Sequence, residues 1–206
     1  MRVERRLFLR SSAALVGAGM LGSNHGHSEQ IHPHHVHAAS RMTECANRFL
    51  AALDASQRGK ATFPFQSDER LNWHFIPKER KGLPLREMMP YQKHLASALL
   101  AAGLSQTGYI KAVTIMSLED VLRIIENDSG EHRNPEKYYF SVFGTPSDSG
   151  TWGYRVEGHH FSQNYTVVNG DVIDGPSFFG ANPPKSGKGR ARACALSLGK
   201  RISVSS

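Results

Sequence analysis

The sequence predicts an α+β fold, N-terminal helices followed by an antiparallel β-meander. Three observations predict it. Up to Gly130 the apolar residues recur at helical intervals. Beyond it, "KYYFSVFG" and "WGYRVEGHHFSQNYTVV" alternate and are rich in Tyr, Phe and Val, the signature of strands. Between the last two extended runs stands "NGD", Asn169 to Asp171, a strong hairpin signal. The 206 residues allow one domain plus an extension.

The first element is an address. Arg5 and Arg6 are followed by Phe8, Leu9 and Arg10, then by an apolar run from Ala13 to Leu21. The pattern resembles a twin-arginine export signal, with Glu4 standing where Ser or Thr is usual. The run falls short of the ~20 apolar residues a bilayer requires, so no stable membrane span is expected. The expectation is a bacterial protein exported already folded, periplasmic or secreted, with the twin-arginine machinery as a partner. Two cleavage positions suit: "MLGS" near Leu21, and "VHAAS" with Val36 and Ala38 in the small-residue positions. Between them His25, His27, His32, His34, His35 and His37 form either a divalent-metal tract or a passive spacer. The division is therefore 1–39 signal and His-rich spacer, 40–184 folded domain, and 185–206 an atypical basic tail.

In the folded part, Met42, Cys45, Phe49, Leu50 and Leu53 share a helical face, with Ser40 or Thr43 as cap. "ATFPFQSDERLNWHFIP", broken by prolines, reads as loop and short extended segments. Tyr91, Leu95, Ala98, Leu99 and Ala102 mark a second helix that Gly103 stops. "SQTGYIKAVTIMSLEDVLRIIENDSG" holds one or two more, with a cap at Ser117 to Asp120 and a buried stripe of Val121, Ile124 and Ile125. "VIDGPSFFGANPP" is the returning strand and loop.

The formal charge of +7 is concentrated at the two ends, and Thr43 to Pro184 is nearly balanced. No basic stripe interleaved with aromatics crosses the domain, so no nucleic acid is expected. Two cysteines, Cys45 and Cys194, make neither a disulfide framework nor a zinc spacing. There is no GxSxG elbow, P-loop or dinucleotide fingerprint.

Chemistry-bearing residues gather in two stretches. On one continuous strand Arg155, Glu157 and His159 point one way, and His160, Ser162 and Asn164 the other; a bulge or close approach at Gly158 can merge them. Three readings stand side by side. Glu157 orients His159 for acid–base work, with His160 and Asn164 as further catalytic candidates. His159, His160 and Glu157 hold a divalent metal, with His74 as a further ligand. Or Arg155 and Glu157 form a salt bridge and the imidazoles satisfy buried hydrogen bonds. The second stretch, "DERLNWHFIPKERKG", offers Arg70, Trp73, His74, Lys78 and Arg80 for a small anionic ligand, with Trp73 as a stacking surface. Arg155, and Asn182 in "GANPP", complete the ligand-binding candidates.

"FLAALDASQR", "FQSDERLNWHFIPKERKGLPL", "LLAAGLSQTGYIKAVTIMSLEDVL", "RNPEKYYFSVFGTP", "WGYRVEGHHFSQNYTV" and "FFGANPP" together resemble the bacterial and fungal family catalogued as domain of unknown function 3500. The similarity runs from about Cys45 to Pro184. It implies exported or secreted proteins and carries no activity over. Members of that family continue well past the "GANP" motif, and "KSGKGRARACALSLGKRISVSS" departs from their pattern, so a frameshifted or truncated reading after about Pro184 is expected. The functional expectation is a hydrolase-like enzyme, metal-assisted in one version. The alternatives are a non-catalytic periplasmic binding module and an inactive truncated fragment.

Overall fold

A computed structural model describes residues 33–181. The twin-arginine pattern, His25, His27, His32, Asn182, Cys194 and the basic tail lie outside the described residues. Helix α1 runs Pro33–Ala51, α2 Ala55–Ala61, α3 Pro90–Ala102 and α4 Gln106–Ile125. Strands β1 (Thr62–Phe63) and β2 (Leu83–Pro84) interrupt them, and β3 (Tyr139–Phe143), β4 (Thr151–Gly158), β5 (Phe161–Val168) and β6 (Asp171–Phe179) follow. The α+β expectation holds. The described residues form one mixed sheet in the order β1-β3-β4-β5-β6, with β2 beside β3. β3 to β6 are the antiparallel meander; β1 joins β3 in parallel from the segment read as loop. No helix among the described residues is long and apolar enough to cross a membrane.

Local chemistry explains most helix ends. Asp54 and Gln57 form a reciprocal capping box at the start of α2. Pro90 opens α3, where its missing N–H costs nothing. Ser105 accepts from the Gly108 N–H at 3.1 Å to start α4. Two expectations, about helix caps and the inner face of α4, are corrected. α1 starts at Pro33, and its Ala39 is buried. Ser40 and Thr43 therefore lie within α1 and cap nothing. Ser117 to Asp120 lies inside α4, and Val121, Ile124 and Ile125 are exposed; the buried side is Ala112, Ile115, Glu119 and Leu122. α4 carries apolar residues around most of its circumference, so periodicity alone does not choose its inner face.

The two faces of the sheet differ. Phe140, Val142, Trp152, Tyr154, Val156 and Phe161 pack with Met42, Phe49 and Leu99 in the apolar core between sheet and helices. Each fully buried side chain of this size contributes about 1.5–3 kcal/mol. The opposite face carries Ser141, Arg155, Glu157, Ser162 and Asn164, and the segment between β1 and β2 lies over it.

Candidate functional site

The continuous strand of the sequence reading is a hairpin. β4 and β5 are joined by only His159 and His160, with Gly158 opposite Phe161. A two-residue turn resets the alternation. Arg155 stands opposite Asn164, and Glu157 opposite Ser162, so these four share a face although parity along a straight strand separates them. Gly158 is a close approach and not a bulge: a Cβ there would meet the Tyr138 ring at 2.4 Å. The irregularity lies one strand further on, where the register with β6 shifts between Gln163 and Tyr165. Asn164 secures it, donating to the Pro176 carbonyl at 2.7 Å.

Arg155 and Glu157 realise the salt-bridge reading. Arg155 Nε lies 2.8 Å from Glu157 Oε1, and Arg155 Nη2 lies 2.8 Å from Glu69 Oε1. Arg80 Nε approaches Glu157 Oε2 at 3.5 Å, and the His74 backbone N–H donates to that same oxygen at 2.8 Å. The two approaches of Nε to Glu157 are ion-pair contacts without hydrogen-bond alignment. Burial pushes the Glu157 carboxyl up, and Arg155, the His74 N–H and Arg80 pull against it. Burial likewise lowers the Arg80 guanidinium, with Glu157 opposing. The chain Glu69–Arg155–Glu157–Arg80 alternates in sign, and each of its four side chains is at least nine-tenths covered.

The Trp73–Arg80 loop thus does meet β4, but in roles other than those expected. Arg80 gives its remaining donors to the carbonyls of Lys78, His74, Ile76 and Gly158. Both Arg80 and Arg155 are committed to protein acceptors and do not present a free fork to an anion. His74 works through its backbone; its imidazole bonds Asn72 at 2.9 Å, and slight burial followed by Lys78 lowers its pKa. Trp73 packs 6.2 Å from the Phe75 ring. The same loop reaches the turn, since Phe75 O accepts from the His160 N–H at 2.8 Å.

The carboxylate beside His159 is Glu119, which sequence reasoning missed. Glu119 Oε1 lies 2.5 Å from His159 Nδ1, and both side chains are more than nine-tenths buried. Glu157 is not the orienting acid, because its face of β4 turns towards the guanidiniums. Arg133 Nη1 comes within 3.2 Å of the same Nδ1. One nitrogen cannot donate and accept at once; the shorter contact places the proton on Nδ1, donated to Glu119, and Arg133 stands by as a balancing charge. Arg133 is held by Glu126 at 2.8 and 3.2 Å, and that pairing raises its pKa, so it remains charged. The loop carrying it is folded around Asp128, whose Oδ1 accepts the N–H groups of Gly130, His132 and Arg133. Those bonds, the one from Arg133 foremost, hold the Asp128 carboxyl below its ordinary range.

His159 Nε2 has no hydrogen-bond partner among the described residues, and the ring lines a cavity of about 190 Å³. Lys78, Arg80, Glu119, Asn134 and Lys137 share that lining. Tyr138, a neutral phenol because burial raises its pKa, donates to the His159 carbonyl at 2.7 Å. The His160 ring sits 4.0 Å from that of His159. Its Nδ1 is buried without a partner, and burial and the neighbouring His159 lower its pKa. Its φ of 58° is left-handed, a conformation that costs a residue with a Cβ about 1 kcal/mol. Among the described residues no three His, Cys, Asp or Glu side chains gather into a metal-holding group; the set His159, His160 and Glu157 is parted by the direction of Glu157.

A family model described as protein of unknown function, DUF3500, matches residues 35–199. The chain belongs to the DUF3500 family. No curated protein and no solved structure matches the chain. The match begins before Cys45 and runs past Pro184. It takes in every element of the site: Glu119 on α4, the Asp128–Arg133 loop, and the His159–His160 turn. The description of DUF3500 assigns none of them a role, so the chemistry rests on geometry.

Proposed function

We propose that this DUF3500 protein is an exported acid–base enzyme of hydrolase type, with His159 as its general base. The observation that carries the reading is the Glu119–His159 contact, with Nε2 left free at the wall of a cavity. A carboxylate on Nδ1 leaves the lone pair on Nε2 and stabilises the imidazolium that forms when Nε2 takes a proton. In the step proposed, Nε2 removes a proton from water, the water oxygen attacks the substrate's acyl or phosphoryl centre, and the proton returns to the leaving group. Lys78, which makes no ion pair among the described residues, is the cation available to an anionic group of the substrate. The small cavity suits a small polar substrate. Strain at His160 supports the reading, since costly backbone conformations cluster where function requires them.

Export belongs to the same proposal and rests on the Arg5–Arg10 pattern. A folded cargo exposes no cleavage position at "VHAAS", because Ala39 is buried within α1; processing near "MLGS" is the consistent choice. N-terminal sequencing of the periplasmic protein checks it.

The enzymatic reading is tested by screening wild type and His159→Asn against small chromogenic esters, amides and phosphate esters. Hydrolysis by wild type, reduced about 10²–10⁴-fold in the variant with its melting temperature kept, is expected. Equal rates in the two proteins would remove His159 from the chemistry. Glu119→Gln should keep binding and lower turnover; unchanged turnover would reduce Glu119 to a packing residue.

A further inference from the structure

We propose that the groove between the first turns of α4 and the β5–β6 pair is a second binding site, for a small zwitterion with an apolar body, of the class of an aromatic α-amino acid. The cavity there measures about 370 Å³ and shares no lining residue with the His159 cavity. Pockets for small ligands begin at about 300 Å³, so this one holds a single small molecule. Its apolar walls are Leu104 from the α3–α4 junction, Tyr165 from β5 and Phe179 from β6. Tyr165 donates its hydroxyl to the Gly103 carbonyl at 2.5 Å, and burial, reinforced by Asp174, keeps it a neutral phenol. That ring is a wall and not a titrating group.

Three polar groups line this apolar space. Gln163 is 3% exposed overall and stands opposite Val156 on the core face of the sheet; its side-chain amide makes no hydrogen bond among the described residues and opens onto the groove. A ligand in the groove replaces water as the partner of that amide, supplying a donor and an acceptor. Lys111 lines the groove from α4 and Asp174 lines it from β6. Neither forms an ion pair among the described residues, although each faces the same cavity from a different element. A ligand with one carboxylate and one ammonium satisfies both, the carboxylate at Lys111 beside the positive N-terminal end of α4 and the ammonium at Asp174. A purely anionic ligand would leave Asp174 repelling it, and a purely cationic one would meet Lys111. The side chain of the ligand then lies on Phe179 and Leu104, within reach of the Gln163 amide.

The same helix builds both cavities. Lys111 and Glu119 are two turns apart on α4, about 12 Å along its axis. The second site nevertheless stands without the catalytic reading, because none of its groups touches His159.

Isothermal titration calorimetry of the full chain with L-phenylalanine, phenylacetate and phenethylamine tests the proposal. Saturable binding of L-phenylalanine is expected, with each single-charge analogue weaker by roughly tenfold, the size of one charge-assisted hydrogen bond. Lys111→Met and Asp174→Asn, both at the surface and so able to fold, should each weaken L-phenylalanine by a similar factor. His159→Asn should leave its binding unchanged. The proposal is overturned if L-phenylalanine does not bind, if both single-charge analogues bind as well as it does, or if the Lys111 and Asp174 variants bind as tightly as wild type. Loss of binding in His159→Asn would instead place the ligand in the other cavity and equally overturn it.

Discussion

Strand β5 begins and ends with a two-residue hairpin turn, and the two turns are opposites. At its end Asn169 and Gly170 both take positive φ, 51° and 88°, as a type I′ turn requires, with Asn169 exposed and Gly170 half-buried. At its start His159 and His160 do the same topological work with residues that no turn statistic favours, and only His160 enters the left-handed region. The Asn–Gly turn is stable because of what it is. The His–His turn holds because of what surrounds it: the Tyr138 hydroxyl and the Gly180 N–H on its two carbonyls, the Phe75 carbonyl on its N–H, and the Arg80–Glu157 pair beneath. A turn that costs energy and is clamped from several elements is positioned for its side chains.

The comparison can be broken or sharpened by substitution. The largest effect is expected from Arg155→Leu, which takes from buried Glu69 its ion-pair partner and leaves Glu157 with only Arg80 at 3.5 Å and the His74 N–H. It should lower unfolding free energy by about 3–5 kcal/mol in a urea titration; a loss below about 1 kcal/mol would mean the buried charges do not hold that turn. Tyr138→Phe removes the clamp on the His159 carbonyl alone. A loss of about 1–3 kcal/mol is expected, accompanied by slower turnover. Unchanged turnover would separate the clamp from the chemistry.

Smaller still, His160→Gly should keep the fold and the Glu119–His159 contact and recover about 1 kcal/mol of strain. A less stable protein would show that the His160 imidazole itself, and not the surrounding clamps, holds the turn. The subtlest effect concerns pH. His160 has a lowered pKa when folded, so the unfolded chain takes up its proton first and stability is lost as pH falls from about 6.5. His74 acts in the same direction from the neighbouring loop. Glu157, with a raised pKa, acts oppositely, its contribution fading as pH rises above its ordinary range. The difference in melting temperature between wild type and His160→Asn therefore isolates His160, and it should shrink the loss on acidification. Parallel curves would assign the acid sensitivity elsewhere.

One contact of the site was legible, and its key partner was not. The salt bridge between Arg155 and Glu157 follows from their shared strand face, whereas the Trp73–Arg80 loop meets that strand through contacts about eighty positions apart. The His turn was hidden because β-formers alternate on both sides of it and neither turn position, His159 or His160, is Gly, Asn or Asp. Glu119 did leave a signal: it continues the spacing of Ala112, Ile115 and Leu122, an acid inside a buried stripe. That signal was masked by the rival stripe of Val121, Ile124 and Ile125 on the same helix, which water covers instead.

By itself the sequence determined the α+β class, the order of helices before strands, and the Asn169–Gly170 turn, because period and propensity act over a few residues. Only tertiary structure decided which carboxylate His159 meets. Glu119 lies forty positions away along the chain, and what brings it to Nδ1 is the packing of α4 against the core face of the sheet, a choice made by volume and burial that no local pattern encodes.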